Sequence, residues 1–126
     1  LRTAWGMLMR LGRDNATALL IGCSSFPGTD PQAHAASFAR LTERHLIAPR
    51  WRPDVKSPYA TTFRDLRLDP AGAVNFPPLL RFYLGLGAQT SDHAVADPEL
   101  RTVHVFTALQ TARIPSGRLQ TLLSLA

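Results

Sequence analysis

Fourteen consecutive residues, Ile21-Gly-Cys-Ser-Ser-Phe-Pro-Gly-Thr-Asp-Pro-Gln-Ala-His34, bring together a lone cysteine, two serines, a Gly-Thr-Asp-Pro turn and a histidine. A thiol or hydroxyl next to an imidazole is the raw material of nucleophilic catalysis. The local pattern points away from it. Cys23 closes an apolar run, where cysteine usually behaves as a small buried hydrophobe. Ser24 and Ser25 lack the Gly-x-Ser-x-Gly elbow that lifts a nucleophilic serine out of a strand-to-helix turn, and their plainest role is to cap Phe26-Pro27-Gly28 locally. His34, His45, His93 and His104 show neither His-x-x-x-His nor His-x-Glu spacing, so neither a metal site nor a bound cofactor is expected. Asp92, Asp97 and Glu99 surround His93 in what reads as a solvated turn. Gly85-Leu-Gly87 ends a helix where a dinucleotide fingerprint would start one, which argues against nucleotide binding by that route.

The elements that must position these groups read as one α/β domain. Leu1, Trp5, Leu8 and Leu11 recur at helical spacing, and Gly12 with Asp14-Asn15 closes that helix. Residues 16–23 form a short continuous apolar run, expected to be a strand buried on both faces. Pro27-Gly28 marks a turn. Asp30 can accept the free backbone donors of a helix opened by Pro31, which then runs to about His45 with Ala35, Phe38 and Leu41 inward. From Ile47 to Asn75 the pattern dissolves among prolines, and so long a loop in one domain reads as a lid or surface flap. A helix starts at Pro77-Pro78 and stops at Gly85 or Gly87. Ala88–Ser91 is expected to be a brief strand and Asp92–Pro98 a turn. Arg101–Gln110 alternates as a strand does, and Ile114–Leu125 reads as a short amphipathic helix behind Pro115-Ser116.

Length and composition agree with this reading. The chain has 126 residues, 45% of them hydrophobic, enough for one core. One cysteine excludes an intrachain disulfide, and no apolar run approaches the ~20 residues of a membrane span, so a cytoplasmic setting is expected. The formal charge is +5, from 14 basic and 9 acidic residues. Such a surface attracts phosphates, anionic lipid or acidic proteins, and it leaves open a non-catalytic basic module that binds anionic lipid or nucleic acid. Aromatic-basic signatures of RNA binding are absent, so nucleic acid is not expected as a partner. The helix beginning at Leu1 without a cap leads us to expect sequence upstream.

Four stretches in order carry a family resemblance: residues 21–31 quoted above, Arg44-His-Leu-Ile-Ala-Pro49, Pro77-Pro-Leu-Leu-Arg-Phe-Tyr-Leu-Gly-Leu-Gly-Ala88, and Asp97-Pro-Glu-Leu-Arg-Thr-Val-His-Val-Phe106. Together they resemble the N-acyltransferases of bacterial ornithine-lipid synthesis that use acyl carrier protein, often labelled hemolysin-like and similar in fold to GNAT-like acyl-CoA N-acyltransferases. The resemblance runs from Trp5-Gly6 to about Pro115. It implies that residues 1–126 are the C-terminal part of a single GNAT-like domain, a mixed sheet flanked by helices. The N-terminal part, with the most plausible catalytic carboxylate, would lie elsewhere, and the fragment alone would be inactive. The sequence departs from the pattern at Phe82, where glycine is common, and at Arg101 and His104, which are often Asn and Asp. Transfer of a 3-hydroxyacyl group to the α-amine of ornithine is implied, with another amine acceptor as the alternative. The co-substrate would be the acyl thioester of acyl carrier protein. Leu20, Ile21, Gly22, Cys23, Ser24 and Phe26 would border a V-shaped thioester cleft, with Ser24 or Ser25 as a donor near the leaving sulfur. Arg50, Arg52, Lys56, Arg64 and Arg67 would recruit the acidic carrier protein or the anionic inner membrane, on which the protein would sit peripherally.

Overall fold

A computed structural model describes residues 1–125, and its chain is built around an antiparallel sheet with helices on one face. Helix α1 spans Arg2–Asp14 and strand β1 spans Leu19–Pro27. A 3-10 turn, Pro31–His34, leads into helix α2, Ala35–Arg44. After a long connection come β2 (Ala60–Thr62), α3 (Pro78–Gly85), β3 (Gln89–Asp97), β4 (Thr102–Gln110) and α4 (Ser116–Ser124). The strands lie in the order β1-β4-β3-β2, and each ladder is antiparallel. The expected mixed sheet is thus corrected, with a single parallel bridge, Leu46 to Thr90, outside the named strands. Parity explains the layering. Phe26 pairs Val103, Ser24 pairs Val105, and Leu20 pairs Leu109, so these residues share one face.

That face carries two contiguous cores. Phe26, Ala94, Val103 and Val105 meet Phe38 and Leu41 of α2, Leu80 of α3 and Phe63. Phe38 lies between Phe63, stacked at 4.3 Å, and Phe26, edge-on at 5.1 Å. Further along, Leu109 meets Met9 of α1, Leu122 of α4, Leu86 and Ile114. The opposite face bears Ile21, Cys23, Ser25, His104 and Phe106, and Ile21 is 66% exposed.

Several expectations about burial change accordingly. Helix α1 buries Gly6, Met9 and Gly12 with Trp5 half-buried, whereas Leu1 and Leu11 are 75% and 60% exposed. Two of the three buried positions are glycines, which a count of apolar side chains overlooks. Strand β1 is an edge strand with one open face, so Cys23 is exposed instead of buried. Asp92–Asp97 is not a turn: β3 continues through it, with an irregularity between Thr90 and Ala94, and His93 is buried.

The segment from Ile47 to Asn75 is not a free flap. Its start is tied by Ile47 N–H to the Thr90 carbonyl at 2.9 Å, and β2 pairs with residues 93–95. Phe63, Leu66 and Leu68 pack on the core, and Gln32 bonds both the carbonyl and the amide of Arg67. The turn after β1 forms as the sequence implies: Gly28 takes φ 81°, donates to the Arg101 carbonyl at 2.9 Å, and Asp30 caps Gln32 N–H at 3.0 Å.

Candidate functional site: two grooves that meet at β1

A cleft of about 330 Å³ opens between α1, α3 and the sheet. Leu20, Ile21, Gly22 and Cys23 form its strand wall, Trp5 and Leu8 come from α1, and Tyr83 comes from α3. Thr107 and Leu109 of β4 form the floor with Ala88. Gly22 pairs with Thr107 on the helix-covered face, and a Cβ added to it would meet nothing within 4 Å. The missing side chain is therefore what keeps the strand side of the cleft open. Trp5 is braced by Phe82 at 5.8 Å and by Tyr83 at 5.0 Å between ring centroids. Burial pushes the Tyr83 phenol above its ordinary range; like any tyrosine it is protonated at neutral pH and can donate a hydrogen bond into the cleft.

Of the six residues expected at a substrate cleft, four thus line one groove. Ser24 lies beneath it, buried, with Oγ 2.8 Å from Thr107 Oγ1. Thr107 spends its hydrogen on the Val105 carbonyl at 3.1 Å, so Ser24 is the donor in that pair. Phe26 is fully buried in the aromatic core and does not reach the cleft. The local cap suggested for the two serines is also corrected, since both bond across to β4.

The open face of the sheet carries a second groove, about 420 Å³, lined by Cys23, Pro53, His93, Val95, His104 and Phe106. Cys23 borders both grooves. Ser25 Oγ lies 2.9 Å from His104 Nδ1, while His104 Nε2 lies 3.1 Å from Thr102 Oγ1 and 3.4 Å from Asp97 Oδ2. The other Asp97 oxygen accepts the amides of Leu100 at 3.1 Å and Glu99 at 3.0 Å. The Leu100 amide foremost holds the Asp97 carboxyl below its ordinary range; desolvation comes next and opposes it, and His104 and the Glu99 amide add to the lowering. His93 Nδ1 is buried without a hydrogen-bond partner. Among the described residues no group of three or more His, Cys, Asp or Glu is arranged to hold a metal ion.

The five basic residues expected to recruit a partner differ in exposure and contacts. Arg52 is half-buried, bonded to Asp92 at 3.2 Å and to the Ile47 carbonyl at 2.9 Å. Arg50 sits over the Trp51 ring at 5.6 Å, and Arg50, Lys56, Arg64 and Arg67 are exposed. Among the described residues no helix is long and apolar enough to cross a membrane.

No family model matches the chain, and no solved structure matches it. Three curated relatives do. An L-ornithine N(alpha)-acyltransferase of Rhizobium meliloti (strain 1021) is 32% identical, over 90% of this chain and 38% of its own length. Proteins of the same name from Agrobacterium fabrum (strain C58 / ATCC 33970) and Brucella abortus (strain 2308) are 34% and 35% identical, over 79% and 90% of this chain. They are covered over 35% and 40% of their own lengths. The chain spans well under half the length of these relatives, and within that span it is similar to the L-ornithine N(alpha)-acyltransferases, the kind of protein its four motifs resemble.

Proposed function

We propose that the protein transfers a 3-hydroxyacyl group from acyl carrier protein to the α-amine of ornithine. In this reading the chain corresponds to the C-terminal part of a GNAT-like acyltransferase domain, working in the cytoplasm at the face of the anionic inner membrane. One observation carries it: the Leu20–Cys23 strand, where the resemblance puts the thioester, lines an open cleft with Trp5, Leu8 and Tyr83. The names of the relatives supply the acceptor, ornithine.

The chemistry follows from the groups present. A thioester laid along β1 offers its carbonyl to an amine entering from the edge. Attack forms the C–N bond and places charge on the carbonyl oxygen. Collapse then expels the thiolate, which needs a proton. Tyr83, a neutral phenol at the cleft wall, is a donor for that oxygen or sulfur. Trp5, Leu8 and Leu20 give the thioester arm an apolar bed from which water is displaced. The exposed Arg50, Lys56, Arg64 and Arg67 favour encounter with an acidic carrier protein.

The test is an assay of the complete protein with 3-hydroxyacyl-loaded carrier protein and ornithine, read by mass spectrometry. N-acylornithine is the expected product. Acylation of a different amine would remove ornithine while keeping the reaction class. Turnover with acyl-coenzyme A but not with loaded carrier protein would remove the proposed donor. Salt-sensitive retention on anionic lipid or nucleic acid, with no acyl transfer at all, would favour a basic binding module.

A further inference from the structure

The open face of the sheet holds an arrangement that the thioester cleft does not use. Ser25, His104 and Asp97 are contributed by β1, β4 and β3, and they touch in that order, with His104 lining the second groove. The position of the imidazole hydrogen follows from its neighbours. Asp97 is ionised at neutral pH, and an ionised carboxylate only accepts. Nε2 therefore carries the hydrogen, directed toward Asp97 with Thr102 Oγ1 beside it. That leaves the lone pair of Nδ1 to accept the Ser25 hydroxyl at 2.9 Å. Ser25 is exposed on an edge strand, two residues from Cys23 on the same face. At the usual strand rise that separation is about 7 Å. Cys23 borders both grooves, so the chain of hydrogen bonds ends close to the point where they meet.

We propose that Ser25, His104 and Asp97 form a proton relay that takes the ammonium proton of a primary-amine acceptor lying in the groove of Cys23, Pro53, His93, Val95, His104 and Phe106. The role rests on the acyl-transfer reading above. The amine arrives protonated. One of its protons passes to Ser25 Oγ while the serine's own proton moves to His104 Nδ1, and Asp97 steadies the imidazolium. The freed lone pair attacks the thioester carbonyl, the C–N bond forms and the C–S bond breaks. A second amine proton ends on the departing sulfur as thiol, and the imidazolium returns its proton to water. The other titratable groups lining the groove with His104 are His93 on β3 and Cys23 on β1.

Two measurements on the complete protein test this. The first needs no turnover: the nitrogen-15 NMR spectrum of the imidazole is expected to show hydrogen on Nε2 of His104 at neutral pH. The opposite tautomer overturns the relay even in an active enzyme. The second is kcat for amine acylation against pH. Ser25→Ala and His104→Gln are expected to lower kcat by about 100-fold, the low end for acid–base catalysis, with KM for the thioester donor little changed. Ser25→Thr, which keeps the hydroxyl, should restore most of the rate. Asp97→Asn withdraws the carboxylate that accepts the Nε2 hydrogen, so kcat should fall in that variant as well. Acylation at the normal rate in both Ser25→Ala and His104→Gln overturns the relay while acyl transfer stands. No acylation by the unsubstituted protein removes the acyl-transfer reading and this role with it.

Discussion

Ser24 and Ser25 are adjacent in sequence, yet the pleat sends one hydroxyl to each face of the sheet and so to different work. Ser24 spends its hydrogen on Thr107 below the cleft floor. Thr107→Val should therefore leave a buried hydroxyl without a partner and cost about 1–3 kcal/mol, read as a lower denaturant midpoint. Gly22 makes the opposite case. Gly22→Val adds bulk where nothing lies within 4 Å, so stability should stay within about 0.5 kcal/mol while the donor KM rises roughly tenfold or more. Unchanged KM would show that the cleft does not hold the thioester. The reactive-looking residues were legible in the sequence as types, and the Leu20–Cys23 wall was legible through resemblance. Their partners were not, because Ser25 and His104 are 79 positions apart and meet only through the β1–β4 register. Tyr83 and Trp5 escaped for a similar reason: an aromatic at helical spacing reads as core until the neighbouring elements show which side stays open.

Elements with strong punctuation were readable without coordinates. Asp30-Pro31 opens α2's 3-10 lead-in, Pro78 opens α3, and the alternation from Val103 to Leu109 gives β4. The sequence misled where a strand carries polar residues inward or is very short. Asp92–Pro98 looks like a turn, but β3 runs on through Asp97 with an irregularity between Thr90 and Ala94, and β2 has only three residues. The connection between α2 and α3 is anchored through Phe63, so Phe63→Ala should cost about 3–5 kcal/mol and expose residues near β2 to protease. Resistance equal to the parent would mean that the strand pairing alone holds the segment. The end of α2 adds a pH dependence. Burial first, then Arg44 and Arg40, hold the His45 imidazole below its ordinary range. The unfolded chain binds that proton near pH 6.5 and the folded chain only at lower pH. Stability should therefore fall as pH drops from about 7 through the folded value. Replacing His45 with Gln should flatten that part of the curve, measured by urea unfolding at a series of pH values.

At the scale of the molecule, two grooves on opposite faces share one strand, and the free thiol of Cys23 reports on both. Alkylation of Cys23 by a maleimide should slow when a non-hydrolysable acyl-thioester analogue fills the cleft, and separately when ornithine is added. Protection by neither ligand would place substrate elsewhere. The basic surface acts at longer range. Arg50→Glu with Arg64→Glu should raise KM for the acyl carrier protein several-fold at low ionic strength, with the difference shrinking toward about 0.5 M salt as screening shortens to a few ångströms, about 3 Å at 1 M.

The division of the sheet into two working faces also dictates which changes of length the chain can absorb. Inserting or deleting one residue within β1 would turn Ile21, Cys23 and Ser25 toward the helices and Leu20, Gly22 and Ser24 toward the open face, exchanging the two grooves' walls at a stroke. Strand β3 has already taken the other course. From Thr90 to Ala94 it advances four residues while β4 moves two, from Thr107 to Val105, and an even surplus returns every later side chain to its own face. Variation in length is accordingly expected in pairs at residues 91–93, and not at all along β1.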